Sequence, residues 1–174
     1  MVTQPAAASA QARELAAYAA AAATPDPELP MLTVADLGIL RAVTVTGEQV
    51  VVTITPTYSG CPAMREISAD ISGRLNRAGY HDAAVRLQLA PAWSSDWITA
   101  AGRLKLAEAG IAPPAAAPRH SGPIPLTLGR APGPACPRCG SAQTQHTAEF
   151  SATACRSLHR CQECGEPFEA VKAL

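Results

Sequence analysis

Between residues 41 and 89 the apolar positions first alternate and then step by threes and fours. "RAVTVT" (41–46) and "QVVVTIT" (49–55) are rich in β-branched residues and are separated by Gly47-Glu48, which predicts a β-hairpin. In the second run Val50, Val52 and Ile54 share one face, and Val51, Thr53 and Thr55 share the other. Met64, Ile67, Ile71, Leu75 and Ala78 then recur at helical spacing. Arg65, Glu66, Asp70 and Arg74 lie off that stripe, and Gly79 is a suitable stop. "VRLQL" (85–89) predicts a third strand with Val85, Leu87 and Leu89 turned inward. "WSSDWITAAGRLKLAEAG" (93–110) predicts a loop leading into a last helix closed by Gly110. The order β-β-α-β-α describes a small α+β domain, a mixed sheet with helices on one face.

The flanking segments have other patterns. Residues 11–23 favour a helix through alanine propensity, but Leu15 and Tyr18 are its only sizeable apolar side chains, so weak packing is expected. "TPDPELP" (24–30) must interrupt that helix, and "MLTVADLGIL" (31–40) is a short apolar element that bends at Asp36 to Gly38. Residues 111–134 hold seven prolines in 24 positions without usable periodicity, the composition of an extended linker. The expected organisation is an Ala-rich helix (1–23), an α+β domain (24–112), a Pro-rich linker (113–134) and a cysteine-rich β module (135–174).

Composition narrows the function classes. Fourteen Lys and Arg balance fourteen Asp and Glu, so no global field steers the chain towards nucleic acid or anionic lipid. No apolar run has the length of a membrane span, and the N-terminus lacks the pattern of a signal peptide. A cytoplasmic protein is expected. In a reducing compartment six cysteines point to metal binding and thiol chemistry before disulfides.

Four of the six stand in two knuckles, "CPRCG" (136–140) and "CQECG" (161–165), with 21 residues between the inner cysteines. Two thiolates three positions apart on a tight turn can ligate one ion, and two such turns close a tetrahedral site from Cys136, Cys139, Cys161 and Cys164. Zinc is the favoured ion; iron in a rubredoxin-like centre uses the same ligands. Four protein ligands leave no open position, so the site would be structural. "TQHTAEF" (144–150) and "TACRSLHR" (153–160) suit a hairpin, and "EPFEAV" (166–171) a third strand. Arg138, Arg156, Arg160 and Lys172 balance Glu149, Glu163, Glu166 and Glu169, which fits protein docking better than phosphate tracking. Cys155 is expected as a buried hairpin residue, with a fifth thiol close to the site as the alternative, and His146 and His159 are expected at the surface rather than as ligands.

Cys61, in "TPTYSGCPAM", stands alone. Pro62 suits the first position of the following helix, where free amides and the helix dipole would lower a thiol pKa. From the residues alone, a reactive or metal-handling thiol and a small apolar filler are equally good readings. Asp26 and Asp36 suit turn-bracing roles, and Trp93 and Trp97 suit core or docking roles. An independent thiol enzyme is poorly supported. No C-x-x-C accompanies Cys61, and the sole histidine near it in sequence is His81.

"DPELPMLTVADLGIL", "TPTYSGCPAM", "APAWSSDWIT", "GIAPP", "CPRCG" and "FSATACRSLHRCQECGEPF" together resemble the PaaD family, small subunits associated with the bacterial phenylacetyl-CoA epoxidase system. The first half is also similar to SufT-like iron–sulfur assembly domains, which share a D-P-E stretch and a loop cysteine, here Asp26, Pro27, Glu28 and Cys61. The resemblance implies an accessory role in aerobic phenylacetate catabolism rather than catalysis by this chain alone. Cys61 would transiently handle iron or an iron–sulfur cluster, supported by Asp26 and Glu28, and the four-cysteine module would hold zinc. The implied partners are a di-iron oxygenase and a flavin/iron–sulfur reductase, with a homodimer also open. The competing implication is a structural or electron-conducting subunit of the epoxidase complex.

Overall fold

A computed structural model describes residues 9–116 and 133–174; residues 1–8 and most of the expected Pro-rich linker lie outside the described residues. The chain forms two compact units, Met1–Ala92 and Trp93–Leu174. Among the described residues no helix is long and apolar enough to cross a membrane.

The first unit opens with α1 (Ala10–Ala22), whose N-terminus is capped by the Ser9 hydroxyl accepting from the Ala12 amide at 3.2 Å. The helix packs against β1 and α2 through Ala17 and Ala21, both fully buried, while Leu15 and Tyr18 are 65% and 44% exposed. This reverses the expectation of weak packing through the large residues. Alanines let the helix backbone come close to its neighbours, and the Tyr80 hydroxyl fastens it by donating to the Arg13 carbonyl at 2.7 Å.

β1 (Leu40–Thr46) pairs antiparallel with β2 (Gln49–Ile54) across the Gly47-Glu48 turn, as the alternation predicts. Gly47 holds φ +60°, a left-handed conformation that suits the tight turn. β2 pairs parallel with β3 (Asp82–Leu87), giving a three-stranded mixed sheet in the order β1-β2-β3. Between them α2 (Ala63–Arg77) buries Ala63, Met64, Ile67, Ile71 and Leu75. Val50, Val52 and Ile54 of β2 are fully buried as well.

The inward face of the third strand is only partly as expected. Val85 is half-buried, but Leu87 and Leu89 are 57% and 61% exposed. β3 is an edge strand, Leu87 sits on its last rung opposite Ile54, and Leu89 lies beyond the ladder. Ala78 is also exposed, because it caps α2 rather than continuing its buried stripe.

The second unit holds a 3-10 turn (Ser95–Trp97), α3 (Ala100–Glu108), β4 (Ile111–Ala112), β5 (Thr144–Ala148), β6 (Arg156–Cys161) and β7 (Pro167–Val171). The strands form one sheet in the order β4-β7-β6-β5. The hairpin and third strand of the cysteine module are thus present. β4 adds a fourth strand, pairing parallel with β7 through Ile111↔Glu169 and Ala112↔Ala170. That ladder gathers α3 into the second unit, whereas the sequence grouped it with the first sheet up to residue 112. Arg103 reinforces the grouping by donating to the Ser95 and Pro114 carbonyls at 2.8 and 2.6 Å. Trp93 is buried, as a core residue would be.

The α1 interface yields a test. Ala17→Leu is expected to cost about 1–3 kcal/mol by overpacking. Leu15→Ala should stay within about 0.5 kcal/mol, as at an ordinary surface position. Urea unfolding of the full chain, followed by far-UV circular dichroism in zinc-containing buffer, reads both.

Candidate metal centre and loop thiol

The two cysteine knuckles are built by one repeated set of backbone bonds. The Cys136 amide donates to the Ser141 carbonyl at 2.9 Å, and the Gly140 amide donates back to the Cys136 carbonyl at 2.8 Å. In the second knuckle Cys161 donates to Glu166 at 2.9 Å and Gly165 to Cys161 at 3.1 Å. Gly140 and Gly165 both hold φ +75°, which a side chain would strain. The knuckle turns place Cys136 and Cys161 inside and leave Cys139 and Cys164 exposed.

All four sulfur atoms lie within 4.8 Å of one another. Cys136 Sγ is 3.7 Å from Cys164 Sγ, and Cys139 Sγ is 3.5 Å from Cys161 Sγ. A tetrahedral ion with metal–sulfur bonds of about 2.3 Å needs sulfurs roughly 3.8 Å apart, so the donor set fits a closed tetrathiolate site. The thiols already differ in acidity. The Cys164 amide, hydrogen-bonded to its sulfur, brings Cys161 down to about 7. At Cys139 the Ser141 amide also favours the thiolate, but the neighbouring Cys161 sulfur, with some local desolvation, outweighs it and pushes the thiol up to about 12. Four negative sulfurs cannot share this space without a cation between them.

Other polar residues of the module lie outside this group. Cys155 is half-buried beside the Thr153 hydroxyl, with Sγ to Oγ1 3.2 Å, and is not a fifth member. His146 is exposed as expected and faces Glu149 at 3.5 Å. His159 corrects the sequence reading: it is 7% exposed, stacked on Phe168 and held at 3.0 Å from the Ser157 hydroxyl. Burial holds its imidazole below the ordinary pKa, so it stays neutral in the sheet face. Arg156, counted from sequence in the module's charge balance, is buried and paired with Glu169. Sequence alternation across β6 could not reveal this, because neighbouring Arg156 and Ser157 are both buried.

Cys61 lies in the first unit, on the loop between β2 and α2. Its amide donates to the Tyr58 carbonyl at 3.2 Å, and Pro62 is the cap residue with the helix starting at Ala63. The thiol is half-buried. The expected fall in its pKa is not found. Burial pushes the thiol up, the Ala63 amide only partly opposes this, and the negative charges of Glu28 and Asp26 push it up further. The helix N-terminus is outweighed by desolvation and by two carboxylates from a loop far upstream.

Asp26 is itself 7% exposed, and its Oδ1 accepts from the Glu28 and Leu29 amides at 2.8 Å each. It therefore braces the turn that carries Glu28. Asp36 braces the next bend in the same way, with Oδ2 accepting from the Thr33 amide and hydroxyl at 3.0 Å. Asp26, Glu28 and Cys61 share one electrostatic neighbourhood, but among the described residues only the four module cysteines converge tightly enough to surround an ion.

Serine at Cys136, Cys139, Cys161 or Cys164 should abolish stoichiometric zinc and unfold the ribbon sheet, while Cys155→Ser keeps both; elemental analysis and near-UV circular dichroism check this. Cys61 should alkylate more slowly at neutral pH than a free thiol of ordinary pKa 9.0. Glu28→Gln removes a charge that raises this pKa and should shift the rate profile to lower pH. The sign for stability follows. A folded pKa above the unfolded value makes Cys61 cost stability as pH rises through the unfolded pKa towards the folded one.

Comparison with known proteins matches both halves of the chain. Residues 16–87 match the family described as "Iron-sulfur cluster assembly protein", and residues 121–172 match the "PaaD zinc beta ribbon domain". An Escherichia coli (strain K12) protein described as a putative 1,2-phenylacetyl-CoA epoxidase subunit is 44% identical over 150 residues, covering 86% of this chain and 87% of that one. The crystal structure of a domain of unknown function, DUF59, from Bacillus anthracis superposes with a TM-score of 0.53 at 30% identity, covering 56% of this chain and 94% of that chain. An identity this high along nearly the whole of both chains, together with the match to the ribbon domain, shows that the chain belongs to the PaaD family.

Proposed function

We propose that this chain is an accessory subunit of a cytoplasmic phenylacetyl-CoA epoxidase system that assists the iron or iron–sulfur maturation of its partners. The observation that carries the reading is the contrast between its two kinds of thiol. Cys136, Cys139, Cys161 and Cys164 form a closed group with no position left for a substrate. Cys61 stands apart in the unit matched by the iron–sulfur assembly family, half-buried beside two carboxylates. The closed group suits zinc in a structural role. The isolated thiol suits a cargo that must be taken up and released.

The carboxylates give Cys61 a simple working cycle. With no cation present, burial first and then the negative charges of Glu28 and Asp26 favour the protonated, unreactive sulfur. A positively charged iron cargo reverses the local field, so the sulfur gives its proton to water as it bonds to the metal. Transfer to a partner's ligands breaks that bond, and the sulfur takes a proton back. No net oxidation is needed. A single thiolate is too little to retain the cargo, and the receiving protein completes its coordination. The partners on this reading are the oxygenase and reductase of the epoxidase system, since the Escherichia coli relative is described as one of its subunits.

Cys61→Ser tests the reading in cells that also produce the oxygenase and reductase. The variant is expected to fold, to keep its zinc and to leave both partners deficient in iron. Partners fully loaded with metal in the presence of the variant would refute the maturation role. A redox-active metal in this chain, with stable co-purification, would favour the electron-conducting alternative.

A further inference from the structure

The sheet of the first unit has two edges, and they are built differently. The β1 edge is interrupted by a register shift between Leu40 and Ala42, and α1 packs against that strand. The β3 edge runs through six unbroken rungs, from Gln49↔Asp82 to Ile54↔Leu87, and no strand lies beyond it among the described residues. Bulges, cover, proline and lysine are the usual guards of an edge. Residues 82–87, "DAAVRL", contain no proline or lysine, and their register with β2 has no bulge.

The backbone phase of the edge follows from one bond. The Gln88 amide donates to the Ile54 carbonyl at 2.9 Å, so position 88 faces β2. By alternation Ala84 and Arg86 also turn their amides and carbonyls to β2, and Ala83, Val85 and Leu87 turn theirs outward. On one face of the sheet the strand carries Asp82, Ala84 and Arg86, with both charged residues exposed. The two charges are opposite in sign and symmetric about Ala84. A strand so marked is complementary to itself.

We infer that β3 pairs antiparallel with β3 of a second copy of this chain, with Ala84 opposite Ala84 and Asp82 opposite Arg86 of the second copy. In that register Ala83 faces Val85, both outward, so they exchange hydrogen bonds. Asp82 and Arg86 fall at the non-hydrogen-bonded positions, where side chains come closest. A shift by one residue sets outward groups against inward ones and cannot bond. A shift by two sets Asp82 against Ala84 or Gln88 and loses the charge pairs. One register therefore satisfies both the backbone and the charges. It also sets the exposed Leu87 against His81 of the second copy, and its two-fold symmetry closes the assembly at a dimer.

Analytical ultracentrifugation of the zinc-loaded full chain tests this. Wild type should dimerise, and Asp82→Arg or Arg86→Asp should each weaken the dimer by about tenfold or more, because like charges then oppose each other at both symmetric positions. The double variant Asp82→Arg/Arg86→Asp restores complementarity and should dimerise within about threefold of wild type. Hydrogen exchange should slow at the Ala83, Val85 and Leu87 amides as concentration rises. A monomeric wild type, single variants that dimerise normally, or a double variant as weak as the singles would each overturn the inference.

Discussion

Four sulfurs within 4.8 Å of one another repel when ionised, and a cation among them turns that repulsion into the strongest bond in the second unit. Its buried cluster around the knuckles is small, Ala112, Phe168 and Ala170 with Cys136 and Cys161 themselves. Two of the four clustered cysteines are thus also core residues. Structural zinc contributes roughly 10 kcal/mol or more to the folding of such modules, which exceeds anything this cluster can supply by burial. A cation held by the four cysteines would thus add more to this part of the sheet than the knuckle cluster does.

The first unit rests on a different principle and so can keep a thiol free. Its sheet and helices bury a continuous set of branched aliphatic residues, among them Leu32, Ile39, Val52, Ile67, Ile71 and Leu75. Cys61 is not among these fully buried residues. Electrostatics then separates the two thiol environments. Knuckle amides point at Cys161 and favour its thiolate, whereas Glu28, Asp26 and burial disfavour the thiolate of Cys61. One chain thus carries two unlike thiol environments, a closed group of four sulfurs and a single half-buried thiol.

Much of this was legible in the sequence, because local rules govern it. The Gly47-Glu48 hairpin, the buried stripe of α2 and the paired C-x-x-C-G turns depend on residues close together in the chain. The misses share a cause in distant partners. Periodicity assigned Leu87 and Leu89 to an inner face but could not show that β3 is an edge. Alanine's small side chain concealed the buried face of α1. The pairing of β4 with β7 left no trace in a two-residue strand, so the sequence did not reveal the ladder that links α3 to the second sheet. The acidity of Cys61 was read from its own helix, while the carboxylates that oppose it come from another loop.

The division of labour between a closed zinc tetrathiolate and an independent loop thiol is the central claim. Zinc-edge X-ray absorption on wild type and Cys61→Ser addresses it most directly. The expected result is one zinc per chain surrounded by four sulfurs at about 2.3 Å, with identical spectra for the two proteins. Nitrogen or oxygen in the first shell, or a zinc environment altered by the loss of Cys61, would contradict it.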